Sequence, residues 1–442
     1  MKYVEVILPL PLDGTFTYAV GDAWLSKVKP GVRLLVPLGK SKRYIAVAVR
    51  MTDEKPDFDV KEVVSVLDEK PVILPNQLKL WDWISDYYLS SLGDIFKAAL
   101  PSGLKTQDGY KPKTEQYVGL AEPYRNEQAL HIAINTLSRA TKQQKAFVDF
   151  LAMSHWDSLN GTLNAEDIVE VTREELMNFS HCNAPSIKNL IDRKILYTYD
   201  KEVGRLNNGG KPHFENIKQF NEFQTKAFDE INSQFDEKKV VLLHGVTSSG
   251  KTEIYIHLIK KALEAHKQVL YLLPEIALTV QIMERLKRVF GNRLGIYHSK
   301  YSDAERVEIW NKQLSDTPYD VILGARSAVF LPFTNLGLVI IDEEHETSFK
   351  QQDPAPRYHA RSAAIVLAGM YGAKTLLGTA TPSMESYYNA QQGKYGLVEL
   401  KKRFAGIELP EIKVIDIKDL QHRKMMQGPF SPQLLAAIND AL

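Results

Sequence analysis

The sequence contains very little cysteine and almost no net charge. Its single cysteine, Cys182, excludes a disulfide framework and a cysteine-rich zinc site within these 442 residues. A net charge of +1, from 55 basic and 54 acidic side chains, excludes a uniformly basic nucleic-acid coat but not a local basic groove. No apolar run approaches the roughly 18 residues of a membrane helix, and the first residues resemble a strand rather than a signal peptide. We therefore expect a protein of a reducing, cytoplasmic compartment.

The composition is that of ordinary globular protein, with 44% hydrophobic and 25% charged residues. A chain of this length exceeds one ordinary domain. Three zones of different composition predict three domains joined by two linkers. They are a β-rich domain at 1–105, a polar linker at 106–125, a mainly helical domain at 126–200, a second linker at 201–214 and an α/β domain at 215–442.

The first zone is rich in short β-type segments, with proline or glycine between several of them. The segments are YVEVILPL, TFTYAV, VRLLVPLG, YIAVAVRM and VKEVVSVL. Their spacing predicts a small twisted barrel or sheet. A predicted helix, QLKLWDWISDYYLS, follows them. Its predicted apolar face consists of Leu80, Trp83, Ile84 and Tyr87.

The second zone is helical. TKQQKAFVDFLAM predicts one helix, Thr172 and Glu175 have capping-box spacing at the start of another, and APSIKNLIDRKILYTYD predicts a helix that runs into a strand. Three helices followed by strands are the outline of a winged-helix module, whose last helix commonly lies on DNA. Lys188, Arg193 and Lys194 fall on that helix. These charges either contact DNA or are simply solvated on a structural spacer.

The third zone alternates strands with helices. Continuous apolar strands of this kind, separated by helices, predict a parallel sheet that is buried on both faces. The predicted strands are VVLLHG, QVLYLLP, LGIYH, DVILGA, LGLVIID and KTLLGT.

A phosphate-binding loop is the most specific motif in the sequence. GVTSSGKT follows the strand VVLLH and opens the helix TEIYIHLIKKAL, which is the context that the GxxxxGK[ST] pattern requires. Its glycines let the backbone curl so that N–H groups and the helix N-terminus point at phosphates. We expect Lys251 to reach the β and γ phosphates of ATP and Thr252 to bind Mg²⁺. The predicted nucleotide-binding residues of the loop are Gly245, Val246, Thr247, Ser248, Ser249, Gly250, Lys251 and Thr252.

An acidic motif, DEEH, follows the buried strand LGLVII. Asp342 lies at the carboxyl end of that strand, where ligands bind in open α/β sheets, so we expect it to bind Mg²⁺ and Glu343 to activate water. Lys251, Asp342 and Glu343 are thus the predicted catalytic group. The segment GTATPS at 378–383 closes another strand, and its hydroxyl groups suit the coupling of nucleotide state to motion. Gln224, upstream of the loop, is expected to contact adenine, the alternative being a solvated helix residue.

In this order, the phosphate loop, DEEH and TATPS resemble the motifs of superfamily 2 DNA helicases. GVTSSGKTEIY, LLPEIALTVQ, YHSK, GARSAVFLPF, DEEHETSFKQQDPAPRYHAR and GTATPS together are similar to the bacterial primosomal protein N′ family of replication-restart helicases. The resemblance implies a RecA-like first helicase lobe, ATP and Mg²⁺ as cofactors, and 3′-5′ unwinding at stalled forks. It also implies help in reloading the replicative helicase.

The same resemblance implies that the N-terminal domain captures the 3′ end of a nascent strand. The matching positions are Phe16, Thr17, Tyr18, Gly39, Lys40 and Lys61. An aromatic ring can stack on the terminal base, a glycine admits close backbone approach, and a lysine can neutralise phosphate. Thr17 departs from the acidic residue of some relatives. The alternative for Phe16 and Tyr18 is packing within the sheet.

Two further sets of residues follow from the resemblance. Trp83 and Tyr87 match an aromatic pair that helps hold the tail of single-stranded DNA-binding protein, although a core stripe is the slightly favoured interpretation. The segment 346–358 resembles a loop that couples DNA contact to ATP chemistry, here with a proline before Arg-Tyr where many relatives have tryptophan. The predicted DNA contacts of this region are Phe349, Lys350, Arg357, Tyr358 and, in GARSA, Arg326.

The family's second lobe, with its arginine finger, and its cysteine-rich zinc module have no counterpart in these residues. We therefore expect a truncated, monomeric chain that binds fork DNA, single-stranded DNA and, weakly, nucleotide, but does not unwind. Zinc is expected only beyond this chain, and primosome-loading proteins are expected partners. A DNA-fork scaffold with a dispensable motor is the alternative. A small-molecule kinase would leave DEEH, TATPS and the DNA-end domain unexplained.

Overall fold

The computed structural model describes residues 2–107, 110–156, 168–202, 204, 206, 210–275, 280–298, 300–401 and 412–441. These residues form a multidomain α/β architecture around three sheets, of five, three and seven strands. The three sheets belong to a β-rich N-terminal domain, a winged-helix domain and a RecA-like lobe, as the sequence predicts. No helix in the described ranges is both long and apolar enough to cross a membrane.

The first sheet is antiparallel and closes into a barrel. Its strands are β1 (Lys2–Ile7), β2 (Phe16–Val20), β3 (Arg33–Leu38), β4 (Lys42–Thr52) and β5 (Ser65–Val66), in the order β2-β1-β4-β3-β5. The segment before β5 returns to the opposite edge, where Ala19 N donates to Lys61 O at 2.9 Å and Val63 N donates to Ala19 O at 3.0 Å. Because one segment pairs with both β3 and β2, neither edge of the sheet is left open.

Two helices, α1 (Pro75–Tyr88) and α2 (Leu92–Ala99), follow the barrel. The buried face of α1 includes Leu80, Trp81 and Ile84, each 0% exposed. The predicted face was wrong at Tyr87, which is 65% exposed, whereas Trp83 is half-buried and packs against the core cluster. A core stripe therefore describes Trp83 in part but not Tyr87. The Tyr87 ring stacks on the Trp83 ring, with centroids 4.9 Å apart.

The winged-helix domain has a core of its own. Its elements are β6 (Thr114–Leu120), α3 (Glu127–Thr136), α4 (Thr141–Ser154), β7 (Val171–Thr172), α5 (Arg173–Ser180), α6 (Ala184–Asp192) and β8 (Leu196–Glu202). The expectation of a linker at 106–125 was wrong where β6 lies, because β6 pairs with β8 along its whole length. The capping box was predicted correctly: Thr172 N donates to Glu175 Oε2 at 2.9 Å, and Glu175 N donates to Thr172 Oγ1 at 3.1 Å. The second predicted linker, 201–214, lies partly outside the described residues.

The lobe is built on a parallel sheet with the strand order β11-β12-β10-β13-β14-β9-β15. The six predicted strands are all present, and β15, which was not predicted, adds an edge. The strands are β9 (Val240–Gly245), β10 (Gln268–Leu272), β11 (Leu294–Tyr297), β12 (Val321–Gly324), β13 (Leu336–Asp342), β14 (Lys374–Thr379) and β15 (Gly396–Leu400). The helices are α7 (Glu222–Glu237), α8 (Lys251–Glu264), α9 (Val280–Phe290), α10 (Asp303–Leu314), α11 (Ala360–Tyr371), α12 (Met384–Gln391), α13 (Lys418–His422) and α14 (Pro432–Ala441).

The N-terminal helices share one hydrophobic core with the lobe. Trp81 and Phe96 belong to the same buried cluster as Trp310 and Ile341. Two polar contacts also cross the junction: Gln77 Nε2 donates to Phe330 O at 2.6 Å in a buried bond, and Trp310 Nε1 donates to Val72 O at 2.9 Å in a partly buried one. Because α1 and α2 complete the lobe's core, the barrel is fixed directly to the domain that carries the phosphate loop.

Candidate nucleotide site and DNA-binding surfaces

The phosphate loop connects β9 to α8, as the sequence predicts. Gly250 has a φ of +83°, which favours glycine, and it directs the backbone into the first turn of α8. Lys251 Nζ donates to Gly245 O at 2.9 Å and so lies across the loop. One pocket is lined by residues 247–253 together with Asp342 and Glu343. The structure therefore brings the predicted phosphate-binding and acidic motifs together.

Gln224 braces the loop from behind. Its side chain is only 1% exposed. Its Oε1 accepts from Asn221 N at 3.0 Å, completing a capping box on α7, and its Nε2 donates to Gly250 O at 3.3 Å. This geometry argues against the predicted adenine contact, since both ends of the amide are engaged within the protein. The structure gives Gln224 a supporting role for the loop instead.

Asp342 ends β13 beside the loop. Burial, followed by the negative charge of Glu343, raises the pKa of Asp342 to about 6. Its Oδ1 accepts from Tyr255 Oη at 2.9 Å, and its Oδ2 accepts from Tyr271 Oη at 3.3 Å. Glu343 has a φ of +48°, a strained value for a residue with a side chain. It follows directly on Asp342 and lines the same pocket.

The third acid of the motif, Glu344, was not predicted to have a role. It is 0% exposed and ion-paired with Arg361. Its Oε1 accepts from Ser383 N at 2.7 Å, and its Oε2 accepts from Ser386 Oγ at 2.8 Å. A buried carboxylate needs such partners. Glu344 thus fastens the acidic motif to the end of the TATPS segment.

His345 makes the second connection to TATPS. Its Nδ1 lies 2.8 Å from Thr379 Oγ1, and its Nε2 lies 3.3 Å from Thr381 Oγ1. His345 Nδ1 also lies 3.8 Å from the Glu343 carboxylate. A displacement of Glu343 can therefore be passed to the TATPS segment through one imidazole ring, which fits the predicted coupling role of that segment.

The residues present fit a nucleotide with its Mg²⁺. Ser249 Oγ, inside the loop, is buried and has no hydrogen-bond partner among the described residues, so it has an unused donor for a phosphate oxygen. Lys251 supplies positive charge, while Thr252 and Asp342 supply the oxygen ligands that Mg²⁺ prefers. An ATP site at this position is consistent with the donor set.

Three family models match the chain. The 3′ DNA-binding domain of PriA matches residues 5–101, the winged-helix domain of PriA helicase from Bacteroidota matches 115–203, and the DEAD/DEAH box helicase model matches 221–390. The Replication restart protein PriA of Bacillus subtilis is 31% identical over 497 residues, covering 100% of this chain and 61% of that protein. The same-named protein of Haemophilus influenzae is 34% identical over 443 residues, covering 99% of this chain and 57% of that protein. The chain is thus similar to PriA proteins over nearly its whole length.

The PriA relatives are longer than this chain, which spans 61% and 57% of their lengths in these two matches. Among solved structures, the helicase domain of Pyrococcus furiosus Hef matches with 17% identity and a TM-score of 0.30, covering 40% of this chain and 39% of that chain. The similarity to PriA rests on the sequence matches and on the three domain models, and it confirms the resemblance seen in the motifs.

Within the part matched by the PriA 3′ DNA-binding model, most predicted end-binding residues are accessible. Gly39 and Lys40 are exposed, and Lys61 Nζ donates to Gly39 O, so the two loops meet at one rim of the barrel. Phe16 and Thr17 are half-buried on β2. Their roles in binding a DNA end stay predictions.

Tyr18 does not belong to this accessible group. It is 4% exposed, and its hydroxyl donates to Pro37 O at 3.0 Å. The structure therefore supports the alternative of sheet packing for Tyr18 and contradicts a stacking role on DNA.

The PriA-like loop after the acidic motif is more tightly packed than predicted. Phe349 is 0% and Tyr358 is 1% exposed, which contradicts their predicted stacking on DNA. Arg326 is half-buried and donates to two loop carbonyls, Ser348 O at 3.3 Å and Lys350 O at 3.1 Å, so it holds the loop rather than presenting a free guanidinium. Arg357 is exposed, and DNA contact by it remains a prediction.

Lys350 connects this loop to α1. Its ammonium lies 5.0 Å from the centre of the Tyr88 ring, and it also donates to Arg357 O. Tyr88 borders the Trp83–Tyr87 pair on the same helix, with its ring centroid 4.9 Å from that of Tyr87. The loop and the aromatic surface of α1 are therefore adjacent.

In the winged-helix domain, the predicted DNA contacts Lys188, Arg193 and Lys194 are all exposed.

Proposed function

We propose that this chain is the DNA-recognition and first motor portion of an ATP-dependent 3′-5′ DNA helicase of replication restart. The whole protein would recognise stalled or abandoned forks and initiate primosome assembly. The observation that carries the proposal is that the phosphate loop, Asp342 and Glu343 line one pocket, and that His345 connects Glu343, 3.8 Å away, to Thr381. Such a connection links nucleotide chemistry to movement, and it lies in a lobe that shares its core with the DNA-end domain.

Each polar group of the site has a defined task in this proposal. Backbone N–H groups at the start of α8 and the Ser249 hydroxyl bind phosphate oxygens. Lys251 leaves its internal contact with Gly245 O and neutralises the β and γ phosphates. Thr252 and Asp342 would hold the Mg²⁺ of a bound nucleotide, which would supply charge stabilisation for phosphoryl transfer. Glu343 accepts the proton of the attacking water, and His345 carries its change of position to the TATPS segment.

Hydrolysis by the chain alone is expected to be very slow. The arginine that lines the pocket, Arg285, is ion-paired with Glu253 and so is occupied within this lobe. An arginine finger from a second lobe contributes on the order of 10³–10⁵ in rate to such reactions. We therefore expect the 442-residue chain to bind nucleotide and fork DNA without unwinding. Zinc belongs to the longer protein in this proposal.

The partners and compartment follow from the same proposal. Forked and single-stranded DNA are the substrates, with exposed charges on the winged helix and the barrel rim as contacts. Single-stranded DNA-binding protein and primosome-loading proteins are the protein partners, and the Trp83–Tyr87 pair, with its exposed Tyr87 ring, is a candidate surface for the former. We place the protein in the cytoplasm as a monomer.

The deciding experiment measures fork binding by fluorescence anisotropy at one moderate salt concentration. A fork whose nascent strand ends in a 3′-hydroxyl should bind more tightly than one ending in a 3′-phosphate. Lys61→Ala should remove that preference, whereas Lys29→Ala, at another exposed lysine of the same domain, should keep it. Equal binding of both forks by the unchanged chain would contradict recognition of the DNA end.

A second arm separates a motor from a scaffold. Lys251→Ala should weaken ATP binding at least about tenfold, because a charge-assisted contact to phosphate is lost, and should leave fork affinity unchanged. In the longer protein the same change should abolish unwinding. Restart activity that survived it would favour the scaffold with a dispensable motor.

A further inference from the structure

Two tyrosine hydroxyl groups hold the Asp342 carboxylate from the inside of the lobe. Tyr255 lies on α8, one helical turn after Thr252, and donates to Oδ1 at 2.9 Å. Tyr271 lies near the end of β10 and donates to Oδ2 at 3.3 Å. The two donors come from different elements and bind different oxygens. Together they fix the rotation of the carboxylate about its Cβ–Cγ bond.

Both tyrosines are fully buried, at 0% exposure. Their rings meet edge to face, with centroids 5.7 Å apart and planes at 74°. The rings fill the core, and phenylalanine would fill it equally well. Burying a hydroxyl group without a hydrogen-bond partner costs free energy. In this structure, Asp342 is the partner that offsets this cost for both hydroxyl groups. The hydroxyl groups therefore serve the carboxylate rather than the packing.

Gly378 provides the space for this arrangement. It lies opposite Asp342 in the pairing of β13 with β14. A Cβ atom at this position would lie 1.8 Å from the Tyr255 hydroxyl oxygen, an impossible contact. Glycine in the GTATPS motif thus lets Tyr255 reach Asp342. The TATPS strand, the phosphate-loop helix and the acidic strand meet at one hydrogen bond.

We infer that Tyr255 and Tyr271 are positioning residues that orient Asp342 for the Mg²⁺ of a bound nucleotide. This inference rests on the proposed function, because it requires Asp342 to be an Mg²⁺ ligand. Hydrogen-bonded partners of metal ligands commonly set ligand orientation, and their loss commonly costs about 10- to 100-fold in metal affinity. Two neutral phenols orient the carboxylate without adding a charge that would compete with the metal.

The test compares nucleotide affinity with and without Mg²⁺, using the fluorescent analogue mant-ADP. Without Mg²⁺, Tyr255→Phe, Tyr271→Phe and the double variant should bind as the unchanged chain does, since the phosphate loop itself is untouched. With Mg²⁺, the gain in affinity should be about tenfold smaller in the double variant and reduced to a lesser extent in each single variant. The ratio of the affinity with Mg²⁺ to the affinity without it separates positioning from structural support, because a loss of folding would weaken binding in both conditions.

Tyr371→Phe is the matched control. Tyr371 is another tyrosine of the lobe, and its hydroxyl group donates to Phe333 O at 2.5 Å. Loss of this hydroxyl group should leave the Mg²⁺-dependent gain in affinity unchanged. Gly378→Ala should reduce the gain as Tyr255→Phe does, whereas Gly369→Ala, with open space at its Cβ, should not. Melting temperatures identify any variant that fails to fold. If the double variant fails, either single tyrosine variant that folds is enough to test the positioning role.

The outcomes distinguish the two proposals. An unchanged chain that binds no mant-ADP, or gains nothing from Mg²⁺, overturns the nucleotide site and this inference with it. An unchanged chain with a clear Mg²⁺ gain that all three tyrosine variants retain overturns the positioning role alone. A smaller gain in the variants, with equal affinity in the absence of Mg²⁺, supports it.

Discussion

The N-terminal helices and the winged-helix domain are attached to the lobe in opposite ways. Trp81 on α1 and Trp310 on α10 lie in one hydrophobic cluster, so the barrel side of the protein and the lobe bury a common core. The winged-helix domain instead packs Phe147, Phe150 and Leu190 in a cluster formed by its own residues. A shared core transmits strain and loses stability as a unit, whereas a separate core can open by itself. Structural changes in the lobe should therefore reach the barrel more directly than they reach the winged-helix domain.

The largest expected effect comes from a matched pair of core deletions. Trp81→Ala should destabilise the shared unit by about 3–5 kcal/mol, because a fully buried aromatic side chain is replaced by a cavity. Phe147→Ala should cost a similar amount within the winged-helix domain. Hydrogen exchange read by mass spectrometry should show loss of protection in both the barrel helices and the lobe for the first variant.

For Phe147→Ala, faster exchange should be confined to the winged-helix domain, and mant-ADP affinity should stay the same. If protection in the lobe fell as well, the two cores would be coupled. That result would contradict the independence of the winged-helix core from the lobe.

A smaller effect is expected at the polar contact that crosses the junction. Gln77 is 1% exposed, with its Nε2 bonded to Phe330 O and its Oε1 bonded to Leu74 N. Gln77→Ala should cost about 2 kcal/mol in the free energy of unfolding, because two backbone groups lose their partners. Chemical denaturation measures this free energy. The control is Lys79→Ala, at an exposed position of the same helix, which should change the stability little. Equal stability of both variants would show that this bond contributes nothing to the junction.

Acidification should also act on the shared unit. Burial, followed by the charges of Arg361 and Lys350, lowers the pKa of His359 to about 4 from its usual 6.5. The unfolded chain therefore takes up this proton first as the pH falls, so the stability contribution is complete above about pH 6.5 and is lost toward pH 4. After discounting for partial solvent exposure, the loss is on the order of 1–2 kcal/mol. Denaturation from pH 7 to 4.5 should be less pH-dependent in His359→Gln, and parallel curves would argue against this assignment.

The smallest effect should be local to the winged helix. Thr172 accepts from Glu175 N at the start of α5, and Thr172→Ala removes this cap at a cost of about 1 kcal/mol. Exchange in α5 should accelerate while α1 and α11 remain protected. Asn189→Ala, at an exposed position of α6, provides the reference. Acceleration that spread into the lobe would contradict the independence of this domain.

The fold was more predictable than the roles of individual side chains. The parallel strands could be predicted because their apolar runs are continuous, and the phosphate loop because its ligating atoms are contiguous. Strand β6 was missed because only Val118 and Leu120 of its residues are buried, so that it looks like a polar linker. Edge strand β15 was missed for a related reason, since exposed Glu399 interrupts its apolar pattern.

Side-chain roles failed where they depend on distant partners. Aromatic residues in a loop suggest stacking on DNA, but Tyr358 is buried against Phe330, with ring centroids 5.0 Å apart. Glu344 looks like one more acid in a charged turn, and only the fold brings Ser383 to it. The presence of a third acidic residue in DEEH was the one sequence signal for this role. The sequence does not indicate which distant residues bind it.

The pairing of β6 with β8 has a consequence for how this architecture can vary. Thr114 and Glu202 are partners in that pairing, so the winged-helix domain begins and ends at neighbouring points. Such a module can be exchanged, enlarged or shortened without moving the segments on either side, as tolerated domain insertions generally require. The barrel has no comparable freedom, because its helices complete another domain's interior. Lineage-specific change is therefore expected to accumulate in the winged helix, while the barrel and the lobe evolve together.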